Sequence, residues 1–194
     1  MSTKIKSLEL PVDLMAKAGL SQLVIIDMQT RLTAAMPLEA MQAAIKNSEI
    51  LVTAAAMLEV PILFTEQYPK GLGHTVPELL ALLPNAHAVE KTVFSCVAAP
   101  TFSRQLSGDR SQLILAGIEA HVCVLQTALD LISAGKQVYV AEDAVVSRNP
   151  ANKANALARM RDAGCIITNT ESIVFEWLGK AEGDAFKAIS KLIR

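Results

Sequence analysis

The chain has 194 residues, 52% hydrophobic and 19% charged, with a formal net charge of −1. That length suits one layered domain spanning 1–194, and near-cancelling charge with no basic run excludes a nucleic-acid surface of the usual electrostatic kind. No window approaches the unbroken apolar length of a membrane span, and the N-terminus lacks the apolar stretch of a signal peptide. Cys96, Cys123 and Cys165 are odd in number and lack CxxC spacing, which fits neither a disulfide framework nor a structural zinc site. The expected setting is a reducing cytoplasm.

In chain order, "LVIID" (23–27) is an apolar run ending in a carboxylate, as expected of a strand covered on both faces. Residues 38–58 carry polar positions at helical spacing among Ala and Leu. "VPILFT" (60–65) reads as a second strand, "HAVEK" (87–91) as a weaker third and "SQLILAG" (111–117) as a fourth. A helix over 121–134 ends at Gly135, and "KQVYVAED" (136–143) is the next strand. Asn149, Pro150 and Gly164 punctuate a helix between 149 and 164. "CIITN" (165–169) is a last short strand, followed by helices near 171–178 and 184–193. Segments 66–78 and 92–108 are left as loops that shape a pocket.

Strands alternating with helices predict a parallel sheet with helices on both faces. The expected fold class is α/β, a Rossmann-like three-layer α/β/α sandwich with a six-stranded sheet of order 3-2-1-4-5-6. In that order the first and fourth strands are neighbours at the point where the winding reverses. Ligands bind outside the carboxyl ends of the strands there.

This topology brings Asp27, at the end of the first strand, opposite Cys123, just past the fourth. Taken singly, an Asp after a strand is usually a turn former, and a Cys on a helix is usually a small buried hydrophobe. Together at a switch point they suggest a base and a nucleophile. A helix start lowers a thiol's pKa and presents unpaired N–H groups to an oxyanion. Lys91 is the candidate cation, against the bland reading of a surface lysine. His121, two residues before Cys123, does not share its helix face and is expected to cap the helix or line the entrance. Cys96 and Cys165 lack the helix-start context and read as structural. No HxH or HxxxH pair and no GxGxxG occur, so neither a metal nor a dinucleotide cofactor is expected. Trp177 and Phe175 read as core or interface residues.

"LVIIDMQ" with Asp27, "EKTVFS" with Lys91 and "LAGIEAHVCVLQTALDL" with Cys123 resemble the isochorismatase-like hydrolase family, in its order and spacing. "FTEQYPKGLGHTVPEL" and "ALARMRDAGCIITNTESIVFEWLG" further resemble its small stand-alone isochorismatase domain-containing proteins. The resemblance implies a Rossmann-like sandwich and a catalytic triad of Asp27, Lys91 and Cys123. Asp27 would activate Cys123 for attack on a carbonyl, imine or nitrile carbon, with Lys91 orienting the pair. It also implies a cis Ile118–Glu119 peptide that aims the Glu119 N–H, with that of Cys123, at an oxyanion. Nicotinamidases of the superfamily carry an Asp/His metal cluster near the second strand; "TEQYPKG" lacks that His cluster, which implies no metal and a substrate other than nicotinamide.

The expectation is therefore a metal-independent cysteine hydrolase of a small amide-like substrate, acting through a thioester-type intermediate. It would be a cytoplasmic homo-oligomer, without membrane or nucleic-acid partners. The alternatives are a vinyl-ether hydrolase in which Cys123 is incidental, and a catalytically silent binding or scaffold protein on the same fold.

Overall fold

The computed structural model describes residues 14–84 and 86–193. In chain order the elements are β1 (Ser21–Ile26), α1 (Thr30–Thr33), α2 (Leu38–Met57), β2 (Ile62–Gln67), α3 (Pro69–Leu72), α4 (Pro77–Leu80), β3 (Val89–Lys91) and α5 (Pro100–Gln105). There follow β4 (Gln112–Ile118), a π-helical turn over Ala120–Val124, α6 (Leu125–Ser133), β5 (Gln137–Val146), α7 (Pro150–Asp162), β6 (Ile166–Thr168), α8 (Thr170–Leu178) and α9 (Gly183–Leu192). The six strands form one parallel sheet of order β3-β2-β1-β4-β5-β6, as the sequence predicts.

Alternation along β1 and β4 splits the core into two layers. Leu23, Ile25, Ile114 and Ala116 pack with α2, α8 and α9 on one face. Val24, Ile26, Leu113 and Leu115 pack with α5, α6 and α7 on the other. Every residue of β1 and β4 is buried, which is why both read as continuous apolar runs. Trp177 belongs to the core, its indole N–H donating to Ser21 Oγ at 2.9 Å.

The structure departs from the sequence reading in detail. β2 and β5 run further toward their carboxyl ends than predicted, and β3 keeps three residues. The presumed loops 66–78 and 92–108 contain α3, α4 and α5, each opened by a proline at N1. Proline pre-sets φ for a first helical turn, a signal too short to show as periodicity. The helix predicted over 121–134 begins as a π turn, in which the Val124 amide reaches back to the Glu119 carbonyl at 3.3 Å.

β4 approaches β1 closely at the switch. Ile26 and Gly117 are register partners, and a Cβ on Gly117 would lie 2.0 Å from the Ile26 carbonyl oxygen. With φ at +127°, this position requires glycine on both counts.

Candidate functional site

Asp27 follows β1 directly and adopts φ of +52°, a region sparsely populated by residues other than glycine. Its own amide donates to the Thr65 carbonyl at 3.2 Å, so β1 and β2 both hold the turn. The carboxylate is fully buried. Oδ2 receives Lys91 Nζ at 2.7 Å, and Oδ1 receives the Thr65 hydroxyl at 2.6 Å. The Cys123 thiol lies close enough to the same carboxylate for Asp27 to raise its pKa. The three residues singled out in the sequence, from three separate strand ends, are thus gathered in one buried cluster.

Lys91 Nζ faces four acceptors: Asp27 Oδ2, Gln67 Oε1 at 2.8 Å, and the Val93 and Phe94 carbonyls at 3.3 Å each. An ammonium has three protons, so this cation is fully engaged. Burial alone would lower its pKa. The Asp27 carboxylate, and then Cys96 and Cys123, outweigh burial and hold Lys91 above its ordinary range. Lys91 is therefore a fixed positive charge rather than a proton acceptor.

The Cys123 thiol behaves otherwise than a helix start suggests. Burial pushes its pKa up, the adjacent Asp27 carboxylate pushes it further, and Lys91 offsets only part. A helix N-terminus does not outweigh that burial and that neighbouring charge, so the resting sulfur is a neutral thiol beside Asp27. The site at rest holds one cation, one anion and one neutral thiol.

The Ile118–Glu119 peptide is cis. The Glu119 side chain points away from the triad, accepting the Arg148 amide at 3.0 Å and lying 3.4 Å from the Arg148 guanidinium. His121 turns the same way: its Nδ1 lies 2.9 Å from Ser147 Oγ and 4.0 Å from Glu119 Oε2. These contacts place His121 with the β5–α7 connection and not with Asp27.

Three residues around the triad escaped the sequence reading. Thr65 and Gln67 lie two apart on β2 and so face the same side, toward Asp27 and Lys91. Gln29 braces Gln67 from both directions, accepting its N–H at 2.7 Å and donating to its carbonyl at 3.0 Å. The available signal was the alternation in "TEQ" after an apolar strand, visible once the strand is extended to residue 67. Cys96, set aside as structural, borders the site: its Sγ lies 3.9 Å from Thr65 Oγ1, and burial pushes its thiol up to about 11.

Glu66, between Thr65 and Gln67, faces the other way. One oxygen accepts the Thr75 amide and hydroxyl, and the other lies 3.0 Å from His74 Nδ1. Among the described residues no group of three His, Cys, Asp or Glu side chains is placed to hold a metal ion. A cavity of about 430 Å³ lies along the outer edge of β3, bordered by Tyr68, Glu90, Val93 and Pro100. Asp27 and Cys123 do not line it, and the Lys91 side chain is fully buried, so only the Lys91 main chain reaches it. This cavity therefore adjoins the buried cluster at Lys91 without including Asp27 or Cys123. No helix among the described residues is long and apolar enough to cross a membrane.

Comparison with known proteins fits this architecture. Residues 21–172 match the family model described as the isochorismatase domain. The chain is 46% identical over 147 residues to isochorismatase domain-containing protein 2A of Mus musculus, covering 74% of this chain and 69% of that protein. The structure of the MAR1 ribonuclease from Caenorhabditis elegans superposes with a TM-score of 0.86 at 38% identity, covering 92% of both chains. YcaC from Pseudomonas aeruginosa, solved with hexane-2,5-diol and covalent acrylamide, superposes with a TM-score of 0.83 at 25% identity, covering 92% of this chain and 91% of that one. With most of its length matched by the family model and by relatives at this identity, the chain belongs to the isochorismatase family of hydrolases.

Proposed function

We propose that this protein is a cysteine hydrolase that cleaves a small amide-like C–N bond without a metal, with Cys123 as nucleophile, Asp27 as base and Lys91 as fixed cation. The observation that carries the reading is one buried carboxylate that is hydrogen-bonded by a lysine ammonium and lies next to a buried cysteine thiol. A structural ion pair has no need of the thiol, and a buried structural cysteine has no need of the carboxylate.

In this mechanism the Cys123 proton passes to Asp27 as Sγ bonds to the substrate carbon. Lys91 stays charged throughout and balances the one negative charge as it passes from Asp27 through sulfur to the substrate oxygen. The sulfur's high resting pKa keeps it protonated until attack, and a thiolate of high pKa is the stronger nucleophile once formed. Because every Lys91 N–H already has an acceptor, the developing oxyanion falls to the backbone amides of Glu119 and Cys123. Collapse breaks the C–N bond, and the leaving amine takes the proton from Asp27. Water then adds to the thioester, the C–S bond breaks, and Asp27 relays the water's proton back to sulfur. The net reaction is amide plus water giving acid plus amine. A covalently acrylamide-bearing YcaC supports the presence of a reactive nucleophile on this fold. We further propose a soluble homo-oligomer, with the exposed Tyr68, Val93 and Phe94 available to a second copy.

The test is turnover of a panel of small amides, carbamoyl compounds and nitriles, with acid quenching and intact-mass analysis. The parent should hydrolyse at least one member and show an acyl adduct on Cys123. Cys123→Ala should lose about 10³-fold or more of kcat, in keeping with loss of a nucleophile. Activity that survives Cys123→Ala sinks the reading and favours chemistry that bypasses the thiol.

A further inference from the structure

We infer that Thr127 and Asp130 are positioning residues that keep Lys91 in register with Cys123, by pinning the 93–96 segment to helix α6. This deepens the proposed function and rests on its assignment of Cys123 and Lys91.

Residues 92–95 form neither helix nor strand. Their apolar side chains do little to hold them, since Val93 is 40% and Phe94 54% exposed. Yet the Val93 and Phe94 carbonyls supply two of the four acceptors of Lys91 Nζ. What fixes those carbonyls is the next two residues. The Ser95 hydroxyl donates to Asp130 Oδ2 at 2.6 Å, and the Cys96 amide donates to Thr127 Oγ1 at 2.9 Å. Thr127, Cys96 and Ser95 are all buried.

Cys123, Thr127 and Asp130 are spaced by four and then three residues, the spacing of one stripe along a helix. The helix that starts beneath the nucleophile therefore also grips the segment that cradles the lysine. A shift of α6 that moves Cys123 moves the two carbonyls with it, so the cation follows the sulfur. Threonine and aspartate are poor helix formers, and in this fold buried Thr127 and the more exposed Asp130 both spend an acceptor on one four-residue segment.

The experiment measures two modifications by mass spectrometry: acetylation of Lys91 by acetic anhydride, scaled to exposed Lys180, and alkylation of Cys123 by iodoacetamide across pH. Variants are Thr127→Val, which keeps the shape and loses the acceptor, Thr127→Ser, which keeps the hydroxyl, and Ser95→Ala, which removes the Asp130 bond from its outer end. Thr127→Val and Ser95→Ala should each raise Lys91 acetylation at least fivefold and shift the pH profile of Cys123 alkylation. Thr127→Ser should track the parent. Alkylation of Cys165, remote from this segment, should stay unchanged and so separates repositioning from general unfolding. Should Thr127→Val fail to fold, Ser95→Ala reads the same coupling. Lys91 that stays as protected as in the parent, in whichever of the two variants folds, overturns the inference, whatever Cys123 does. Loss of the nucleophile assignment is read separately, from retained turnover in Cys123→Ala.

Discussion

The two ends of β1 and β4 bury polar side chains to a similar degree and use them differently. At the amino end, register partners Ser21 and Gln112 lie in a neutral network. Gln112 Oε1 accepts the Lys17 amide at 2.8 Å, and its Nε2 donates to the Met15 carbonyl, Gln137 Oε1 and Tyr139 OH at 3.0–3.2 Å. Gln22 beside it ties to Gln105 and Ser107. At the carboxyl end, six residues on from Ser21 along β1, the polar groups are an ammonium, a carboxylate and a thiol, set on a left-handed Asp27, a cis peptide and a π turn. The first end closes the bottom of the sheet with matched neutral donors and acceptors at regular backbone geometry. The second holds charge in a dry place on irregular backbone. Buried polarity is common to both ends; what differs is that the carboxyl end gathers ionisable groups beside a nucleophilic side chain.

The largest break in this comparison comes from unbalancing the charged end. Lys91→Met leaves Asp27 buried without its cation and should cost about 3–5 kcal/mol, read from urea denaturation. The double variant Lys91→Met/Asp27→Leu should recover much of that stability while turnover stays lost, because an apolar pair replaces the ions and no base remains. At the neutral end, Gln112→Leu should cost about 1–3 kcal/mol by orphaning its partners, and should leave Cys123 alkylation per folded molecule unchanged. A double variant no more stable than Lys91→Met, or a Gln112→Leu that alters Cys123 reactivity, would erase the distinction between the two ends.

How much of this was legible beforehand follows the same division. Strand order and both core faces were readable because β1 and β4 are long apolar runs and Asn149, Pro150 and Gly164 mark a helix plainly. Asp27 and Cys123 could be paired because topology brings the carboxyl ends of neighbouring strands together. Lys91 was a candidate cation that only the resemblance raised to a triad member; alone, a lysine after a weak strand looks like surface. Thr65 ended the predicted strand and was read only as its last residue, and Gln67 lay on the part of β2 that the sequence leaves as loop, so the Thr65–Gln67 alternation carried no visible signal. The thiol's raised pKa was missed because a helix start is local and visible in sequence, whereas burial and the Asp27 charge are products of the folded site.

A smaller effect tests whether tight packing at the carboxyl end is as demanding as its chemistry. Gly117→Ala would put a methyl 2.0 Å from the Ile26 carbonyl oxygen at φ of +127°, against backbone that cannot move without shifting Asp27. It should cost roughly 2–4 kcal/mol and also slow Cys123 alkylation. Gly179 caps α8 at φ of +66° with open space around it. Gly179→Ala should cost only about 1 kcal/mol and leave Cys123 alkylation unchanged. Equal losses in the two variants would show that glycine is needed at 117 for conformation alone, not for the close approach of β4 to β1.

The smallest expected effect separates thiols inside the site from one outside it. Burial pushes Cys165 up to about 11, and Cys96 stands at about the same value beside the triad. An unfolded thiol titrates near 8.5, roughly. Below that pH both states hold the proton and the buried thiol's contribution is fully present. As pH rises toward 11 the unfolded chain releases its proton first, so folding loses on the order of 1.4 kcal/mol per pH unit for each such thiol. Urea midpoints of the parent should therefore fall from pH 8.5 to 10.5. Cys165→Ala, compared by slope rather than by absolute stability, should remove one thiol's share of the fall. Cys96→Ala should remove about the same share, because its value of about 11 already includes what Lys91 offsets, and any difference between the two variants reports the place of Cys96 beside the triad. A Cys165→Ala slope identical to the parent's would place the whole alkaline loss in the triad.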